Sequence, residues 1–98
     1  MPTISSIKTG VSEIAKNYDV SKIYLFGSYA KGTARADSDI DFLFEKGGAI
    51  SLLGVSSMLQ DLREKFGVQV DLVSSDNLEK DFLDDVNSSK VLVYERQG

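Results

Sequence analysis

The stretch from Ile23 to Phe44 constrains the fold more than any other part of the chain. An apolar run, Ile23-Tyr24-Leu25-Phe26, stops at Gly27-Ser28; after ten intervening residues the pattern resumes as Asp39-Ile40-Asp41-Phe42-Leu43-Phe44. This predicts a strand over 22–26, a turn into a short helical segment through Tyr29-Ala30-Lys31, and a second strand over 39–45 that opens with two carboxylates. Side chains alternate along a strand, so Asp39 and Asp41 leave one side while Ile40, Phe42 and Phe44 leave the other. Two such charges repel by roughly 4 kcal/mol at about 4 Å and an effective dielectric near 20. The pair persists at a sheet only where a cation or a shared proton offsets that cost. The chain has no His and no Cys. The fitting ion is therefore a hard one held by oxygens, magnesium or manganese.

The turn between the strands reads in two ways. Free amides at a helix start attract anions, Gly27 lets the backbone come close to a phosphate, and Ser28 adds a hydroxyl donor. The plainer reading has Gly27 permitting a tight turn and Ser28 capping the helix. Lys31 and Arg35 are the loop's only cations. They are either in reach of a triphosphate or simply solvated. Asp37 and Ser38 are expected to shape the turn into the second strand.

Elsewhere, Ile4, Ile7, Val11, Ile14, Ala15 and Tyr18 form one stripe of a helix over 4–18, interrupted by Gly10. Leu52, Val55, Leu59, Leu62 and Phe66 mark a second amphipathic helix over 51–66, with Gly67 placed to end it. Met58 and the leucines are expected in or near the core. Val68 to Val73 reads as a strand with Asp71 in its middle, where a carboxylate is costly to bury unless paired or metal-bound. Asp76-Asn77-Leu78-Glu79 has the form of a capping box opening a helix that carries Leu78, Phe82, Leu83 and Val86 inward. Val91-Leu92-Val93-Tyr94 predicts a final strand at a sheet edge, and Glu95 to Gly98 are expected to fray.

Ninety-eight residues make one domain, 1–98, with an ordinary 42% apolar and 27% charged content. The formal charge of −4 argues against broad binding of nucleic acid, which needs a basic face, but not against a single nucleotide. No apolar run approaches the ~18 residues of a membrane span, and Met-Pro-Thr-Ile-Ser-Ser is no signal peptide. The absence of cysteine fits a cytoplasmic protein.

Gly27-Ser28, ten residues, then Asp39-Ile40-Asp41 resembles the signature of the DNA polymerase β-like nucleotidyltransferases, and within them the minimal nucleotidyltransferases of bacteria and archaea. The resemblance covers nearly the whole chain. It implies an α/β fold with a mixed central sheet flanked by helices. It also implies a third carboxylate on a strand beside the Asp-x-Asp strand, for which Asp71 is the only candidate. Asp39, Asp41 and Asp71 would then be the catalytic, metal-holding residues for two Mg2+ or Mn2+ ions. Gly27 and Ser28 would hold the β- and γ-phosphates of ATP, with Lys31 and Arg35 as further phosphate contacts. Tyr29 departs from the family, whose members often carry Arg there.

The implied reaction is transfer of a nucleoside monophosphate, most simply AMP from ATP, to a hydroxyl. Minimal members are often paired with a small helical HEPN-type protein and act as antitoxins by adenylylating it. Two alternatives remain: a non-catalytic binding antitoxin with a vestigial site, and a small-molecule nucleotidyltransferase of the antibiotic-modifying type. Against the first stands the expectation that a vestigial site would not keep buried charges. No motif in the sequence marks a pocket for the base.

Overall fold

Helices and strands alternate along the chain in the computed structural model, which describes residues 2–76 and 78–97. They are α1 (Ile4–Ala15), β1 (Val20–Phe26), α2 (Ser28–Lys31), β2 (Ile40–Lys46), α3 (Leu52–Phe66), β3 (Val70–Ser74), α4 (Lys80–Ser89) and β4 (Val91–Glu95). The strands form one sheet in the order β3-β2-β1-β4. β1 runs antiparallel to both β2 and β4, and β2 runs parallel to β3. This is the mixed sheet with flanking helices that the sequence predicts, with β4 at an edge as expected. The parallel pair needs a crossover, and α3 supplies it.

One sheet face holds the main core. Ile23, Leu25, Ile40, Phe42, Phe44 and Val70 are buried there with Ile7, Val11 and Ala15 of α1 and Met58 and Leu62 of α3. Burying a side chain of this size contributes about 1.5–3 kcal/mol. Gly10 is part of that packing, since a Cβ on it would lie 2.8 Å from the Phe66 ring. Leu43 and Val86 are buried outside this cluster. They belong to the second face, over which α4 sets Phe82 edge-on to Phe26, ring centroids 5.8 Å apart.

Several ends differ from the sequence reading. α1 stops at Ala15, and Tyr18, beyond it, turns its hydroxyl to Asp61 of α3 at 2.5 Å and to Ser57 at 3.1 Å. α3 keeps its predicted bounds, with Ser51 accepting from the Gly54 amide and Gly67 in the left-handed region at φ 67°. Its first turn departs from the predicted stripe: Leu52 and Leu53 are 82% and 83% exposed. α4 begins at Lys80 with Glu79 at its cap position and no side-chain capping bond. The predicted box fails because Asp76 is engaged elsewhere, its carboxylate 3.2 Å from Lys46 and its amide on the Ser74 hydroxyl; Asn77 lies outside the described residues, as do Met1 and Gly98. Phe82, expected inward, is 39% exposed, whereas Val86 is buried.

Candidate active site

The second sheet face places the predicted residues side by side. Phe26, last in β1, pairs with Asp41 of β2, and Asp41 occupies the same rung as Asp71 of β3. Asp39 precedes Asp41 by two positions and so leaves the same side of β2. Gly27 follows Phe26 directly, at φ 74° and ψ −153°. A Cβ added there would run into the Asp41 carboxylate, whose Cγ would be 3.2 Å away. Glycine is therefore required twice, by the positive φ and by the carboxylate packed against it. The sequence reading linked this glycine to the close approach of a phosphate; the structure adds the Asp41 carboxylate packed against it.

The Asp41 carboxyl is pushed up from 3.8 to about 6, first by burial, then by its hydrogen bond with Asp71 and by the charges of Asp71 and Asp39. Without a cation, protonation of Asp41 is favoured over its ordinary range, one of the two ways a carboxylate cluster is relieved at a sheet. The expectation of buried charges is corrected: Asp39 and Asp71 are exposed, Asp41 is partly exposed, and no described charged residue is buried. Asp71 escapes burial because β3 is an edge strand and its second face is open. Only Asp41 is partly withdrawn from water; what the three share is their place on one face of neighbouring strands.

Ser28 is the first residue of α2, and Gly27 takes the cap position with no side-chain capping bond. The plain capping role is thus not the one Ser28 performs. Lys31 and Arg35 are exposed, and neither joins an ion pair among the described residues. The Ser38 hydroxyl accepts from the Arg35 amide at 2.7 Å, closing the loop as its residue types suggest. Tyr29 is a core side chain, 5% exposed, so its position makes no contact of the kind an arginine would. Sequence reading missed Arg63. It lines a hollow of about 470 Å3 with Asp37, Asp39 and Gln69, and one guanidinium nitrogen donates to the Val70 carbonyl at 3.3 Å. As a cation in the last turn of a helix it carried no distinguishing signal.

Among the described residues no three His, Cys, Asp or Glu side chains close on one point as a finished metal cage. The chemistry nevertheless fits a hard divalent ion. Three carboxylate groups share one face of neighbouring strands, all donors are oxygens, and none joins an ion pair among the described residues. Magnesium commonly takes only one or two carboxylates from the protein and completes its shell with water and phosphate oxygens.

Comparison with known proteins agrees with this fold. The sequence model of the family described as "Polymerase beta, Nucleotidyltransferase" matches residues 10–98. Protein adenylyltransferase MntA of Thermococcus cleftensis is 37% identical over 76 residues, covering 76% of this chain and 77% of that protein. Among solved structures, a toxin-antitoxin with AMP-PNP superposes with a TM-score of 0.77 at 23% identity, covering 92% of this chain and 74% of that one. A tri-AMPylated Shewanella oneidensis HEPN toxin in complex with MNT antitoxin gives 0.72 at 18% identity, covering 96% and 74%. These two likenesses establish the fold, and the sequence matches establish the lineage. The chain belongs to the polymerase beta nucleotidyltransferase family and is a nucleotidyltransferase.

Proposed function

We propose that this chain transfers AMP from ATP to a hydroxyl on a helical, HEPN-type partner protein and thereby acts as an antitoxin. The observation that carries the reading is the Asp41–Asp71 rung with Gly27 pressed against Asp41 and Asp39 two positions away. The relative named protein adenylyltransferase supports the reaction, and the complex of a HEPN toxin with an MNT antitoxin supports the kind of partner.

In this reading Asp39, Asp41 and Asp71 hold one or two Mg2+ or Mn2+ ions. Such ions, when bound, offset the triphosphate charge and lower the pKa of the acceptor hydroxyl. Gly27 and Ser28 hold the β- and γ-phosphates, so the leaving group is fixed before the bond breaks. Asp71 is the carboxylate nearest the open sheet edge and takes the hydroxyl proton. The acceptor oxygen bonds to the α-phosphorus, the bond from that phosphorus to the bridging oxygen breaks, and its electron pair leaves on pyrophosphate. The protein's share is position and charge.

The test is transfer of label from ATP radioactive at the α-phosphate, with magnesium, in lysate of the native host, wild type beside Asp41→Asn. A labelled protein found only with wild type is expected. A labelled small product instead would replace the protein acceptor by a small molecule, and no transfer with the partner present would leave a binding antitoxin.

A further inference from the structure

Beside the carboxylates, on the same sheet face, lies a cleft of about 390 Å3 lined by Val73, Leu78, Glu79 and Phe82. Val73 stands two positions after Asp71, so it shares that face roughly 7 Å farther along β3. Phe82 sits edge-on to Phe26, and Phe26 is the cross-strand neighbour of Asp41. The aromatic pair therefore borders the carboxylates on one side and the cleft on the other. Phe82 is 39% exposed although it is large and apolar, so part of its ring surface is in solvent.

We propose that this cleft is the base subsite of the nucleotide, with the Phe82 ring as its stacking surface and the Glu79 carboxylate at its rim to accept from an exocyclic amine. The proposal rests on the nucleotide reading above and adds where the nucleoside lies. A cleft of this size, mostly apolar with one polar group, suits a flat heteroaromatic ring. Its distance from the carboxylates suits a base joined through ribose to a phosphate held beside Asp41. Glu79 as an acceptor suits a base with an exocyclic amine, adenine, cytosine or guanine, over uracil, which has none. An aromatic side chain of the acceptor protein is the competing occupant. Val73 lies two rungs beyond the Asp41–Asp71 pair on the side away from Gly27, so a nucleotide whose terminal phosphates sit at Gly27 would extend past Asp41 toward the cleft, which favours the base.

Calorimetric binding of Mg-ATP and of Mg-tripolyphosphate to the full chain tests this, using wild type, Phe82→Ala, Phe82→Leu, Phe82→Trp and Asp41→Asn. Loss of one stacked aromatic ring should weaken ATP about tenfold in Phe82→Ala. Phe82→Leu, which keeps the apolar fill, should lose most of the same affinity, Phe82→Trp should keep it, and tripolyphosphate should bind all three like wild type. If Phe82→Ala binds ATP as wild type does, the subsite is overturned while nucleotide binding abolished in Asp41→Asn leaves the wider reading standing. If wild type binds neither compound, the nucleotide reading falls and the subsite with it. Unchanged ATP affinity joined to a raised KM for the partner protein would overturn the base assignment in favour of an acceptor side chain.

Discussion

Asp41 and Asp71 face each other on one rung of the parallel β2–β3 pair, and Asp41 is the member whose carboxyl rises to about 6. The rise follows from position: Asp41 lies between two strands with Gly27 against it, and Asp71 is its neighbour on the rung. A proton or a divalent ion is thus the natural third member of the pair.

Asp41→Asn should separate activity from stability. Transfer should vanish, while the variant should be more stable than wild type at pH 7.5 in chelator. Because the folded carboxyl titrates above its ordinary 3.8, the native state binds the extra proton between about 4 and 6 and loses stability as pH rises through about 6. Asn removes that loss, worth about 1 kcal/mol after discounting for solvent screening, or roughly 5 °C in Tm. The gain should disappear below pH 4, where Asp41 is protonated in both states. Melting curves across this range decide it; a gain independent of pH would contradict the assignment.

Added Mg2+ should raise the Tm of wild type without nucleotide, since an ion bound only by the native state stabilises it by mass action. Asp39→Asn and Asp41→Asn should blunt the response. Equal responses in all three proteins would remove these carboxylates from the metal site.

Gly27→Ala should cost about 2 kcal/mol in stability, because Ala is strained at positive φ and its Cβ meets Asp41. Denaturant unfolding measures the cost, and transfer activity should fall with it. A neutral result would mean that the turn and the carboxylate relax together.

Tyr18→Phe should destabilise the fold at neutral pH by about 1 kcal/mol, through loss of its bond to Asp61. Asp61 also holds the Tyr18 phenol above its ordinary 10. The wild-type advantage should therefore be full below pH 10 and close as pH climbs through the raised value. An advantage unchanged at high pH would place the effect in packing instead.

Leu52→Gln with Leu53→Gln should leave the Tm within about 2 °C of wild type, because both side chains are already in solvent. Leu62→Ala, in the same helix, should cost about 2–5 kcal/mol. Paired melting curves make the comparison, and a large loss in the double variant would contradict the exposure.

The strand–turn–strand unit and the carboxylates were legible in the sequence because alternation and charge repulsion act over a few residues. Asp71 stood out as a carboxylate inside an apolar strand, but its place beside Asp41 came only from the family resemblance, since that strand pairing spans thirty residues. Leu52 fitted a helical stripe yet is 82% exposed, and periodicity does not report how far along a helix its apolar stripe is covered. Asp76 read as a cap but was claimed by Lys46, a partner thirty residues away. Phe82 carried no mark separating an inward from an outward aromatic, which only the position of α4 decides.

The crossover through α3 gives the carboxylate trio an order of assembly. β1 and β2 are separated by residues 27–39 and should pair before β2 and β3, whose parallel pairing must wait for α3 to cross over. If the three carboxylates form the site as proposed, a nascent chain that has emerged only as far as α3 should hold Asp39 and Asp41 without Asp71 and transfer nothing. In refolding followed by stopped flow, Mg2+-dependent protection should emerge with the slowest phase, so that catalytic competence is itself the report that the last long-range contact has formed.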